Sequence, residues 1–271
     1  MRCLVLVLAF LTVGTPAAAP LGQDDAAQIG RAADLAGLRS LIAQRDQGLL
    51  FTAVNSWARA GMRELPPQLE ALIVEHYGDP VSQRPLLAFL ARDLDKHQRI
   101  PKYRSRALFD RLYVDLRAGR DSLHYATCIV ATDLPVEGEL VALLPQLNAE
   151  SANELVMFLG VRKYAPAVPA LQALRSRIPR ERSVNQVREH VDWALLQIGT
   201  PEAVRDVLGR LRSLGEDQDS RAPLEVWHIL LSVKDLPPGS APDYPELRAA
   251  LPAQLRADSW DVLVQLIALR K

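Results

Sequence analysis

Apolar residues recur along the chain at the three- and four-residue spacing of a single helix face, in short segments separated by turn signals. Past residue 24 no segment shows the strict alternation of a strand. Residues 34–47 and 48–62 form one predicted pair of helices, and residues 66–76 and 81–95 form the next. Gly78-Asp79-Pro80 is typical of the breakers between helices. The pattern predicts about fourteen helices, arranged as seven hairpins.

The hairpins are similar to one another, as expected of a repeat protein. Residues 139–147, Glu-Leu-Val-Ala-Leu-Leu-Pro-Gln-Leu, return in altered form at residues 246–255. Pro145 and Pro252 fall inside first helices, where each should bend the helix. One hairpin cannot cover its own apolar surface, but a stack of hairpins can. The first helices of the seven hairpins are anchored at Leu35, Leu69, Leu108, Leu140, Val168, Val204 and Leu247.

A family resemblance is clearest at residues 155–210. Leu159-Gly160 is followed by the start Ala167-Val168-Pro169, and Ile198-Gly199-Thr200-Pro201 is followed by Ala203-Val204. Both junctions resemble those of HEAT-like repeats of the PBS-lyase type. The resemblance implies an all-α fold, an α–α superhelix (HEAT-like solenoid) of about seven helical hairpins. An array of four-helix bundles is the structural alternative.

The first residues have the layout of a secretory signal peptide. Arg2 precedes the apolar run at residues 3–14, and small residues follow Pro16. We expect residues 1–19 to be cleaved, which leaves residues 20–271 as a single HEAT-like domain in the periplasm or outside the cell. A core helix or an uncleaved anchor are the alternatives. Cleavage removes Cys3 and leaves Cys128, so the mature chain has no intramolecular disulfide.

Composition and motifs narrow the range of functions. Lys+Arg equals Asp+Glu at 32 each, which argues against a general nucleic-acid-binding protein. The chain has no HExxH, GxSxG, Walker-type, CxxC or GxGxxG motif. We therefore predict no catalytic, cofactor-binding or metal-binding residue.

Three weaker constellations have ordinary structural interpretations. His124 and Cys128 are four residues apart on a predicted helix, but two ligands do not complete a zinc site, and a core cysteine is expected. Residues 189–193 place an acid, an imidazole and an indole on one turn, where a packed Trp193 with solvated polar neighbours is expected. His228, next to an apolar stripe, is expected to be half-buried.

Two basic clusters are candidate sites for an anionic partner, because guanidinium groups suit phosphates and carboxylates. We place the first between hairpins and the second within one, so they need not form a single patch. Solvated loops are the alternative. The candidate residues are Arg99, Lys102, Tyr103, Arg104 and Arg106 in the first cluster, and Arg175, Arg177, Arg180, Arg182 and Arg188 in the second.

The last predicted helix, residues 260–269, is apolar on more than one face. A terminal repeat normally has a polar outer face. Val262, Leu266 and Leu269 remain after one stripe packs inward, so we predict a docking end for a second copy or another partner. Light scattering on a variant with Glu at 262 and 266 tests this prediction. Cover by other parts of the chain is the alternative.

These observations favour an exported, non-catalytic scaffold or adaptor that mediates protein–protein interaction in the cell envelope. One alternative is an enzyme on a HEAT-like scaffold, of the lyase or DNA-glycosylase type. Trp57, Trp193 and the arginines would then serve as site residues, although export argues against a DNA substrate. The other alternative is a structural protein of the envelope that binds polyanions through the basic clusters.

Overall fold

Helices account for nearly all regular structure in the part of the chain that the structure describes. The computed structural model describes residues 20–60, 65–91, 102–120, 122–179, 187–214, 222–234 and 249–250. Within these residues the one extended pairing is an isolated bridge between Tyr103 and Thr132. The helices are α1 Gln23–Ala32, α2 Leu35–Gln44, α3 Gln47–Arg59, α4 Pro67–Glu75, α5 Gln83–Leu87, α6 Arg106–Arg117, α7 Ser122–Val130, α8 Glu137–Leu143, α9 Ala149–Val161, α10 Val168–Arg177, α11 Val187–Ile198, α12 Pro201–Ser213 and α13 Ala222–Lys234.

Side-chain caps fix where several helices begin. A side-chain oxygen of the residue before α2, α6, α9 or α12 accepts a hydrogen bond from a backbone N–H of the first turn. Such a cap satisfies a donor that has no partner inside the helix. The four capping residues are Asp34, Ser105, Asn148 and Thr200.

The helices pair as the hydrophobic pattern predicts. Each even-numbered helix from α2 to α12 packs against the odd-numbered helix that follows it. The first six predicted anchor positions, from Leu35 to Val204, all lie in these even-numbered helices. The all-α class is therefore confirmed, and so are six of the hairpins. The seventh, anchored at Leu247, lies almost wholly outside the described residues.

Successive hairpins meet mainly through their second helices. Helix α3 packs on α5, and α7, α9, α11 and α13 pack on one another in chain order. Among the first helices, α4 packs on α6. One apolar cluster, dominated by Leu, Val, Ile and Ala, continues through these contacts.

Helix α1 is an element that the hydrophobic pattern did not predict. It packs closely against α3, and Gly30 makes this approach possible. A Cβ atom at Gly30 would lie 2.0 Å from the carbonyl oxygen of Ala53, so only glycine fits there. The segment contributes few large apolar side chains, and backbone proximity takes the place of a broad apolar stripe.

Pro145 changes the type of helix at the end of the first helix of its hairpin. Helix α8 ends at Leu143, and a single 3-10 turn, Leu144–Gln146, continues it. This change accompanies the loss of a backbone donor at proline. Pro252, the second proline expected to bend a helix, lies outside the described residues. So do the predicted signal peptide at residues 1–19 and the predicted docking end at Val262, Leu266 and Leu269.

No helix in the described part of the chain combines the length and apolar character that a membrane span requires.

Candidate functional site

The first basic cluster lies between α5 and α6, as expected. Its described cationic side chains, however, lie close to carboxylates of the same chain. Lys102 Nζ lies 3.2 Å from Asp133, and an Arg104 nitrogen lies 3.7 Å from the same carboxylate. Arg106 donates two hydrogen bonds of 2.7 Å to Glu139. These bonds hold the pKa of Glu139 below its usual value. Arg99 lies outside the described residues.

Tyr103 is a core residue and offers no surface to a ligand. Its ring is fully buried, and its hydroxyl donates to the carbonyl of Ile129 at 3.1 Å. Its backbone N–H donates to Ala131, and its carbonyl accepts from Asp133. Tyr103 therefore anchors the segment before α6 to the end of α7, and burial raises the pKa of its hydroxyl.

The second basic cluster is divided among separate structural roles. Arg175 is 9% exposed and donates to Asp192 and Asp206, both at 2.6 Å. Arg177 donates to the carbonyls of Leu144, Pro145 and Leu147, where the segment after α8 ends.

Arg188 donates to the carbonyl of Ile178 at 2.8 Å. Arg180 and Arg182 lie outside the described residues. Arg175, Arg177 and Arg188 thus each bind groups of this chain, which corrects the interpretation of Arg175 as a surface residue for an external anion.

Asp192 corrects a second expectation. As one of the polar neighbours of Trp193, it was expected to be solvated. Instead its side chain is 1% exposed and contacts the guanidinium groups of Arg175 and Arg210. Arg210 also contacts Glu225, and burial lowers the pKa of Arg210 to about 10.

We call these five side chains the buried ion network: Arg175, Asp192, Asp206, Arg210 and Glu225. They come from α10, α11, α12 and α13, so the network joins two consecutive hairpins. Each buried guanidinium group of the network contacts a carboxylate. Such pairing with the opposite charge is the condition for keeping ionised groups inside a protein.

Other sequence candidates prove to be core residues. Cys128 is fully buried, and its thiol contacts the carbonyl of Leu87 at 3.6 Å, as expected for a core cysteine. Trp57, considered for an enzymatic role, is 2% exposed and packs edge-on against Phe89 with ring centroids 4.4 Å apart. Within the described residues no three His, Cys, Asp or Glu side chains are placed to hold a metal ion.

A surface formed by three consecutive second helices is the strongest candidate for binding. Aromatic, imidazole and carboxylate side chains there are half-buried or exposed, while the opposite sides of the same helices form the core. We call this surface the α9–α11–α13 face. It comprises Glu154 and Met157 of α9, Glu189, His190 and Trp193 of α11, and Trp227 and His228 of α13.

His190 connects the helices of this face. Its Nδ1 lies 2.6 Å from Oδ1 of Asn153 on α9. Burial, together with the nearby charge of His228 on α13, holds the pKa of His190 below its usual value, while Glu189 acts in the opposite direction. The imidazole is therefore neutral near pH 7. The half-buried position expected for His228 is confirmed.

The two tryptophans of the face differ in their surroundings. Trp193 lies over Gly160 of α9, where an added Cβ would come within 2.7 Å of the indole. This position agrees with the packed Trp expected from sequence. Trp227 is 42% exposed, one of four large apolar side chains with such exposure in the described residues.

A polar cluster between α4 and α7 gave no signal in the sequence. The Tyr77 hydroxyl donates to the largely buried Asp115 at 2.8 Å, and Gln83 donates to the hydroxyl of Tyr125 at 2.7 Å. Burial and the Asp115 carboxylate raise the pKa of Tyr77. Tyr77 and Asp115 are 38 residues apart in the chain, so only the fold brings them together.

No family model, no curated protein and no solved structure matches this chain.

Proposed function

We propose that this chain is a non-catalytic scaffold of the cell envelope, built as a HEAT-like solenoid, which binds a protein partner through its α9–α11–α13 face. Export by the predicted signal peptide and the solenoid arrangement are parts of this proposal. The consecutive packing of α7, α9, α11 and α13 supports it, because stacked second helices of a solenoid present an extended surface to a partner.

The observation that carries the proposal is the composition of this face. Trp and His side chains lie on neighbouring helices whose other sides are fully engaged in the core. Tryptophan is enriched among the residues that dominate binding energy at protein interfaces. Trp227 is large, rigid and 42% exposed, which suits it to anchor a partner.

The ion pairs of the basic clusters favour this interpretation over polyanion binding. Arg106 and Arg175 already donate hydrogen bonds to carboxylates of the same chain. A polymer would have to displace these partners. A long anionic ligand should therefore bind the clusters more weakly than their sequence suggests.

Affinity capture with residues 20–271 tests the proposal. We would pass an envelope extract of the host over the wild type, Trp227→Gln and Val114→Gln at low and high salt. Val114 is the matched control, because it is 64% exposed on α6, outside the face. Circular dichroism would confirm that all three chains are folded.

We expect one protein to be retained at both salt concentrations by the wild type and Val114→Gln, and lost from Trp227→Gln. Equal retention by all three chains would contradict the proposed face. Retention of acidic polymer at low salt alone would favour the basic clusters, since exposed charge pairs are screened by salt. Sequencing of the mature N-terminus tests export, with a start near residues 18–20 expected.

A further inference from the structure

A cavity of about 220 Å³ lies between α10 and the 3-10 turn that continues α8. We call it the α8–α10 cavity. Its α10 residues follow one another at the spacing of a single helix face, and the short side chains of Ala170 and Ala173 leave the gap. The residues that line it are Leu144, Pro145, Ala170, Ala173, Leu174 and Arg177.

The side chains that line the cavity are aliphatic except at one end. Leu144 and Leu174 are buried, and leucine, alanine and proline side chains offer neither a donor nor an acceptor. A peptide backbone placed among them would leave amide groups without partners, which costs free energy. A hydrocarbon chain has no such groups. The volume is below the roughly 300–1,000 Å³ of sites for drug-sized ligands, so a short chain fits best.

Arg177 supplies the polar end of the cavity. Its guanidinium group donates to the carbonyls of Leu144, Pro145 and Leu147, which holds it beside the 3-10 turn. These bonds leave two of the five N–H groups of the guanidinium for another acceptor. Among the residues that the structure describes, no carboxylate pairs with Arg177, in contrast to Arg175. Such a cation is complementary to a carboxylate from outside the chain.

We propose that the α8–α10 cavity binds a short fatty acid, with the alkyl chain along α10 and the carboxylate on Arg177. One cation at the end of an aliphatic cavity matches one carboxylate at the end of a hydrocarbon chain. The cavity is formed between first helices and shares no residue with the α9–α11–α13 face. This site is therefore additional to the proposed scaffold function and does not depend on it.

Isothermal titration calorimetry of the purified protein with octanoate tests the proposal. Octan-1-ol has a chain of the same length without the charge, and acetate has the charge without the chain. Ala173→Leu fills the cavity, and Ala71→Leu, at an exposed position of α4, is its control. Arg177→Gln removes the charge, and Arg205→Gln, at another exposed arginine that donates to a backbone carbonyl, is its control. Urea denaturation would show that every chain is folded.

We expect octanoate to bind, octan-1-ol to bind about tenfold more weakly, and acetate not to bind. Ala173→Leu should abolish octanoate binding, and Arg177→Gln should weaken it by about tenfold, while both controls bind as the wild type does. Absence of octanoate binding, equal binding of octanoate and octan-1-ol, or binding that survives Ala173→Leu would overturn the proposal.

The protein-capture experiment distinguishes this site from the α9–α11–α13 face. Trp227→Gln should leave octanoate binding unchanged, and Ala173→Leu should leave capture of the protein partner unchanged. Loss of that partner from Ala173→Leu, with no octanoate binding to the wild type, would instead assign the α8–α10 cavity to an apolar side chain of the partner and overturn the proposal.

Discussion

At the scale of single residues, burial can be predicted from the sequence where it follows local apolar spacing, but not where a charged side chain is buried against distant partners. Cys128 and the half-buried His228 follow from local apolar spacing. Asp192 does not, because its partners lie 17 residues upstream and 18 residues downstream, on other helices. The same limit applies to Tyr77 and Asp115. Side chains whose partners are distant in sequence can be placed only when the hairpins are stacked.

Asp192 is the most buried carboxylate of the buried ion network, so we expect its charge to contribute to stability. Asp192→Asn leaves Arg175 and Arg210 buried with one carboxylate fewer, and we expect unfolding free energy to fall by about 3 kcal/mol. Asp133→Asn is the matched control, because Asp133 also faces arginines but is 35% exposed, where ion pairs contribute little. Urea denaturation measures both variants. Equal, small effects would show that the network does not stabilise the fold.

His190 links stability to pH. Its pKa is lower in the folded chain than in the unfolded chain, so the unfolded chain binds more protons on acidification. The contribution of His190 to stability is therefore present above about pH 6.5 and lost as pH falls below it. His190→Gln should show a flatter dependence of the urea midpoint between about pH 7 and pH 5. Identical profiles for variant and wild type would contradict this assignment.

At the scale of helices, apolar spacing predicts most of the elements. The positions of the first helices follow from apolar anchors such as Leu69 and Leu140, which lie in α4 and α8. The apolar spacing does not predict α1, because this helix is held by the close approach of its backbone to α3 at Gly30. A helix that is held by a close backbone approach is marked in the sequence by a glycine, whereas the other helices are marked by an apolar stripe.

Two glycine substitutions separate close packing from helix propensity. Gly30→Ala would place a Cβ against the Ala53 carbonyl and should destabilise the chain by about 1–3 kcal/mol. Gly209, on α12, has no atom within 4 Å of its added Cβ, so Gly209→Ala should stabilise by about 0.5–1 kcal/mol. Thermal unfolding compares them. Stabilisation by both variants would show that α1 does not pack closely on α3.

At the scale of the whole molecule, the second helices contribute both to the continuous core and to the proposed binding surface. Their inner sides continue the core from hairpin to hairpin, and the buried ion network joins the last two hairpins described. Their outer sides form the α9–α11–α13 face. The sequence predicted the helical hairpins, but it made the arginines candidates for binding, because clustered cations are conspicuous in a sequence and their carboxylate partners are not.

Site-specific photo-crosslinking in the host would show whether a partner contacts the α9–α11–α13 face. A photoreactive amino acid would replace Trp227 in the full chain, and Val114 in a parallel chain. We expect one discrete crosslinked protein from position 227 and none from position 114, because only position 227 lies on the α9–α11–α13 face. The same crosslinked product from both positions, or a product from position 114 alone, would contradict this expectation.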